Sequence, residues 1–256
     1  MISAHGLYSR IGAVLTFVGL VAVWELTARL RLLPAFLLPA PSDVIRAFGS
    51  IPASAWLQHI GATIRVSVVG LIVATAVSIP IAIALSRSRF LSQTLYPLLI
   101  VVRSLPIVAI APIIIALAGT GDVPRVIITF LITFFPIVVS TAAGLAQVPP
   151  ELIELSRSLK ASTRREMLDV RLPSAVPYIF ASLKVASTLA VTGAVVAEFV
   201  AADQGIGYVV VVSTSSFKMA MAFAALVVLV FLSLILFYSI DVIQRWFFPW
   251  SIPRQP

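Results

Sequence analysis

The sequence predicts an all-α, polytopic membrane protein with about six transmembrane helices and two short helices in water between them. Three observations predict it. Of 256 residues, 60% are hydrophobic and 11% charged, with a mean hydropathy of +1.10. A soluble domain carries roughly a quarter charged residues. The apolar residues form runs long enough to cross about 30 Å of hydrocarbon at about 1.5 Å per residue. The charges instead gather: nine fall between Glu151 and Arg171, from a total of 18 Lys and Arg and 10 Asp and Glu. Hydrocarbon would not tolerate them, so this segment lies in water between two spans.

The chain reads as one transmembrane domain over residues 1–256, with 149–172 as its charged segment. After a polar start at Met1–Arg10, the first span covers roughly Ile11–Leu30. Its apolar run is too long for a signal peptide and no small-x-small cleavage site follows, so it reads as an uncleaved span. Glu25 and Arg29, one turn apart near its far end, form an interfacial ion pair. The stretch Leu38–Asp43 is a turn, with Ser42 or Asp43 available to cap a short helix through Phe48. The second span, roughly Ile60–Leu85, carries Pro80 as a kink. A short basic loop, Ser86–Arg89, leads to the third span, roughly Thr94–Ala118, which Pro97, Pro106 and Pro112 interrupt. Gly119–Asp122 is a tight turn, and the fourth span, roughly Val123–Ala146, has Pro136 in its middle.

Next comes the charged segment. Pro149 and Pro150 suit a first helical turn, where no amide hydrogen is needed. Leu152, Leu155 and Leu159 recur at helical spacing. Thr163 and Glu166 have the spacing of a capping box that opens a second short helix with Met167 and Leu168, closed by Pro173. The apolar faces of these two helices need a cover, either lipid headgroups and the protein's own loops or a partner protein. The fifth span is roughly Ser174–Val200. A glycine turn at Asp203–Gly207 and a short polar stretch follow. The sixth span, roughly Lys218–Trp246, ends near Trp246 and Trp250 as interfacial anchors.

The distribution of basic residues sets the orientation. With the N-terminus inside, one side holds Arg10, Arg87, Arg89, Arg157, Lys160, Arg164, Arg165, Arg171, Arg245 and Arg254. The other holds Arg29, Arg31, Arg46, Arg65, Arg125 and Lys218. This bias puts both termini and the charged segment in the cytoplasm.

Several chemistries drop out. Without cysteine, disulfides, iron–sulfur clusters and thiolate zinc sites are excluded. The histidines are His5 and His59, too few for a metal cluster. Lys160, Lys184 and Lys218 follow Leu or Phe, so no Gly-Lys-Ser/Thr phosphate loop exists. A Ser215-x-x-Lys218 pattern lacks its companion motifs. Basic residues without interleaved aromatics give no nucleic-acid signature. What remains is charge inside the membrane: Arg103, Lys184 and Glu198. Such groups line a pathway for a polar or anionic solute, pair with one another, or snorkel to the interface. Arg103 and Glu198 are the candidate pathway residues. The prolines of spans three and four either unwind helices around a solute site or bend them for packing.

The run Glu154–Ser162, followed by Val170-Arg171-Leu172-Pro173-Ser174-Ala175-Val176-Pro177, resembles the EAA signature of ABC importer permeases. Further pieces match the nitrate, sulfonate and taurine subfamily in order: Leu38-Pro39-Ala40-Pro41-Ser42-Asp43-Val44, Arg103-Ser104-Leu105-Pro106, Phe134-Phe135-Pro136, Val196-Ala197-Glu198 and Gly205-Ile206-Gly207-Tyr208. One departure stands out. Lys160 occupies the signature's central glycine position, which implies a different turn or an altered dock.

The resemblance implies a type I importer permease without catalysis of its own, in a bacterial inner membrane. A second permease chain completes a homodimer, and two ABC ATPase subunits beneath hold ATP and magnesium. A solute-binding protein outside delivers a nitrate-, sulfonate- or taurine-like anion or a vitamin-precursor-like molecule. Each ATPase receives the charged segment through Glu151, Leu152, Glu154, Leu155, Arg157, Leu159, Lys160, Ala161 and Arg164. The leucines anchor, and Glu154, Arg157 and Lys160 set the register by charge. The rival reading is an ion-coupled secondary transporter or a channel without an ATPase. An ion-coupled carrier needs paired intramembrane acids, and Glu198 stands alone.

Overall fold

A computed structural model describes residues 4–30, 34 and 36–252. Arg31 and Arg254, used above for orientation, lie outside the described residues. Helix α1 (Ala4–Arg29) covers the first expected span. Its apolar residues from Val14 to Leu26 are largely exposed, as suits a helix that meets lipid. It is tied in at its far end, where the Trp24 indole donates to the Pro39 carbonyl at 3.0 Å.

Glu25 does more than pair with Arg29. Its carboxylate also accepts from the Ser42 hydroxyl at 2.8 Å and the Ser42 amide at 3.0 Å. Ser42 is therefore not the cap of helix α2 (Pro41–Ala47). The N-cap is Ala40, and neither Ser42 nor Asp43 fills that place. A distant carboxylate takes the role a local side chain was expected to play.

Helix α3 (Ala53–Arg87) starts earlier than the sequence suggested and carries Pro80 inside it. The third expected span is not one rod. Helices α4 (Arg89–Ser104) and α5 (Ile107–Ala118) meet at a 92° bend. Pro106 lacks an amide hydrogen and forces Leu105 out of the helical region, so the break falls there. Pro97 and Pro112 stay within helices. Helix α6 (Asp122–Ala146) matches the fourth span. Helix α7 (Pro150–Ser158), a short α8 (Thr163–Arg165) and a π-helical stretch (Glu166–Arg171) precede α9 (Leu172–Ala201).

The expected polar stretch after the glycine turn is instead an apolar helix, α10 (Ile206–Ser215), packed on α11 (Met219–Phe247). Its Ile206 and Val209 are buried with Ala224 and Ala225 of α11. Among the described residues, four helices are long and apolar enough to cross a membrane, and the bent α4–α5 pair makes a fifth.

Helices α3, α6 and α9 form the centre. They approach through small residues, as membrane helices do when no hydrophobic driving force separates them from lipid. Thr129 of α6 sits between Gly70 of α3 and Gly193 of α9. A Cβ on Gly70 would lie 2.5 Å from the Thr129 side chain, and one on Gly193 would lie 2.8 Å from its Cα. Ala74, Ala186, Ala190 and Ala194 are likewise fully buried.

The charged segment and the intramembrane charges

Helix α7 begins on Pro150, with Glu151 in its first turn and Arg157 in its last, complementing the helix dipole. Ser156 is buried. Leu152, Leu155 and Leu159 stand 44%, 55% and 74% exposed, so their shared stripe faces away from the protein. Glu151, Glu154, Lys160 and Arg164 are exposed as well.

The turn after α7 is tight. The Lys160 amide donates to Arg157 and that of Ala161 to Ser156. Lys160 adopts φ +55°, the left-handed conformation that a glycine takes at least cost. Lysine thus occupies a left-handed turn itself.

The second short helix differs from its expectation in two ways. Its cap is Ser162, whose hydroxyl accepts from the Arg165 amide at 3.3 Å, rather than Thr163. Nor does Pro173 end it. The helix widens to a π turn, with the Leu172 amide reaching back to the Met167 carbonyl, and runs on into α9. The proline ring would collide with the carbonyl four residues back, and Asp169 lies within that widened turn.

Glu166, expected to cap its own helix, is buried and ties the segment together. Arg171 bonds its carboxylate at 2.7 and 2.8 Å, and Arg157 of α7 approaches it at 3.6 Å. The Arg171 hydrogen bond holds the Glu166 carboxyl below the usual carboxylate range, against the opposing pull of burial. The helix α7 is thereby linked to the start of α9 through one acid, a role its local spacing concealed.

Arg103 lies on the last turn of α4, beside the bend, with its guanidinium 4.7 Å from the centre of the Phe135 ring. It is exposed. Glu198 has a different setting. It is 2% exposed, and its carboxylate accepts from the Thr63 hydroxyl at 2.8 Å and the Gly207 amide at 2.7 Å. Thr63 in turn accepts from the Ile206 amide at 2.9 Å. Glu198 thus holds the start of α10 against α3 and α9. Gly205 sits at φ +123°, and a Cβ there would fall inside the Glu198 carboxyl group. The structure does not bring Arg103 and Glu198 together: Arg103 sits at the α4–α5 bend, while Glu198 is bonded into the α3–α9–α10 contact.

Lys184 pairs with Asp241 of α11, which Arg245 also binds at 2.7 Å. In the sequence Asp241 sits inside an apolar run, which hides it. A lone acid facing a lone lysine on another span is the signal that could have found it. At the opposite end of the bundle from the charged segment, buried Arg125 contacts Asp122 and Asp203 and donates to the Ala201 carbonyl at 3.3 Å.

Comparison with known proteins gives a consistent result. A riboflavin transport system permease protein of Chloroflexus aurantiacus is 32% identical over 95% of this chain and 91% of its own length. A probable ABC transporter permease protein of Haemophilus influenzae is 32% identical over 91% of this chain and 94% of its own. A formylaminopyrimidine transport permease protein of Halalkalibacterium halodurans is 29% identical over 95% and 97%. The fold matches a chain of the inward-facing MetNI methionine ABC transporter with a TM-score of 0.66, at 20% identity, over 75% of this chain and 96% of that one. Residues 67–252 match the family of binding-protein-dependent transport system inner membrane components. With its apolar bundle, its bent third span and these relatives, the chain belongs to that family of ABC importer permeases.

Proposed function

We propose that this chain works with two separate ATPase subunits, which hold ATP and magnesium, and that residues 149–172 are where each subunit docks. The observation that carries this reading is the α7 stripe. Leu152, Leu155 and Leu159 form an exposed apolar face flanked by Glu151, Glu154, Arg157, Lys160, Ala161 and Arg164. A short helix with an uncovered apolar stripe and charged flanks fits a groove on a partner, with charge setting the register. The Glu166 bridge makes α7 move with α9, so force applied to the segment reaches a span.

The rest of the assembly follows from that dock. The charged segment and both termini lie in the cytoplasm, and the membrane is a bacterial plasma membrane. A second, identical permease chain covers the exposed apolar residues of α4 and α5, among them Ile100, Val101, Val108 and Leu117. A solute-binding protein serves the other face. Arg103 lines the pathway at the bend, and Glu198 positions α10 beside it. The solute is a small molecule, with a vitamin-precursor heterocycle favoured over a taurine- or nitrate-like anion. The riboflavin and formylaminopyrimidine relatives each align over 95% of this chain, and the taurine relative reaches 27% identity over 92%.

The test is charge reversal at the dock. Glu154→Arg lowers the ATPase co-purifying with the detergent-solubilised complex by roughly tenfold. An intact complex that still transports rejects the docking assignment.

A further inference from the structure

Where the charged segment meets the bundle, the ends of α3, α4 and α6 line a cavity of about 750 Å³, which shares Ser86, Arg87, Arg157 and Arg171 with a neighbouring one of about 630 Å³. Arg87, Arg157 and Arg171 line both, and Arg164 lines the second. Against these four guanidinium groups stands one carboxylate, that of Glu166. Glu166 is already engaged by Arg171 and Arg157. Arg87 makes one long bond, to the Thr163 carbonyl at 3.5 Å, and reaches no carboxylate among the described residues.

The α6 wall is apolar, with Ser92 and Tyr96 of α4 also in the lining. Leu85 of α3 and Val139, Ala142 and Leu145 of α6 rise from the arginines into the bundle. Because Arg87 ends α3, Arg171 precedes α9 and α6 ends at Ala146, the arginines sit at the membrane boundary. Uncompensated positive charge at that depth, under a hydrocarbon wall, suits a ligand with an anionic head and an apolar body.

We propose that this cavity binds an anionic phospholipid, with the phosphate on Arg87 and the first acyl carbons against the α6 wall. A soluble anion would use the arginines and leave the apolar wall empty. A docked acidic protein side chain is disfavoured by direction. The leucine stripe of α7 is exposed, and none of Leu152, Leu155 and Leu159 lines either cavity. Its deciding residue, Arg87, lies outside residues 149–172, so the reading is tested separately from the ATPase dock, although Arg157, Arg164 and Arg171 of that segment share the lining.

The experiment is native mass spectrometry of the full chain, released from detergent holding equal amounts of phosphatidylglycerol and phosphatidylethanolamine. The wild type retains phosphatidylglycerol preferentially. Arg87→Gln lowers that preference roughly fivefold, and Arg87→Glu removes it. Arg46→Gln, at the far end of the molecule, leaves it unchanged. Arg87 is exposed and ends its helix, so both substitutions fold. An unchanged preference in Arg87→Glu overturns the proposal. Displacement of the bound lipid by inorganic phosphate alone also overturns it, in favour of a free anion. Loss of co-purifying ATPase with lipid preference intact would assign the cavity to the protein partner.

Discussion

Lys160 carries a backbone cost that glycine would not. A side chain in the left-handed region is disfavoured by about 1 kcal/mol or more. Lys160→Gly should therefore stabilise the turn after α7, less whatever glycine adds to the freedom of the unfolded chain. A rise of a few degrees in thermal midpoint of the purified protein is expected, and a fall would mean that the lysine side chain makes a compensating contact. The position of this residue was legible in the signature, but its conformation was not. Glu198 teaches a similar lesson. A lone intramembrane acid reads from sequence as a pathway group, because the chain gives no hint that Thr63, many residues away, and the Gly207 amide will satisfy it. The flanking glycines were visible. Their reason, that the Glu198 carboxyl occupies the space a Cβ would need, appears only with the fold.

Among the elements, the charged segment combines what periodicity reveals with what it hides. The leucine spacing of α7 and its proline start were readable. The π turn was not, since Pro173 looks like a terminator unless the turn before it can widen. The Glu166 bridge predicts a pH dependence. Its pKa is lowered in the folded protein, so its contribution is complete above the ordinary carboxylate range. It is lost as pH falls through the folded value. Thermal stability of the wild type should decline with acid below roughly pH 4.5 more steeply than that of Glu166→Gln. Parallel pH profiles for the two proteins would remove the bridge as a stabilising contact. Helix α10 escaped the sequence reading because the serines and threonines at its end masked a five-residue apolar run, too short to separate helix from loop by period.

The molecule as a whole is built on three helices and draped with the others. Residues α3, α6 and α9 contribute converge where Gly70 and Gly193 flank Thr129, and the apolar runs that announce these spans say nothing about which will touch. Number and length of spans were therefore legible, while their arrangement rested on small residues scattered through the runs. Gly193→Leu should force α6 and α9 apart, at a cost of about 1–3 kcal/mol. A lower thermal midpoint and reduced recovery of monodisperse protein in size-exclusion chromatography are expected. Recovery and midpoint equal to wild type would mean that the two helices can separate freely. The bend at Pro106 has a different standing, since α4 and α5 lie outside this central trio. An angled, lightly braced pair can vary in sequence without disturbing the trio's alignment. On the proposed reading, substitutions beside that elbow, Arg103 included, would change which cargo passes without loosening the helices that move the bundle.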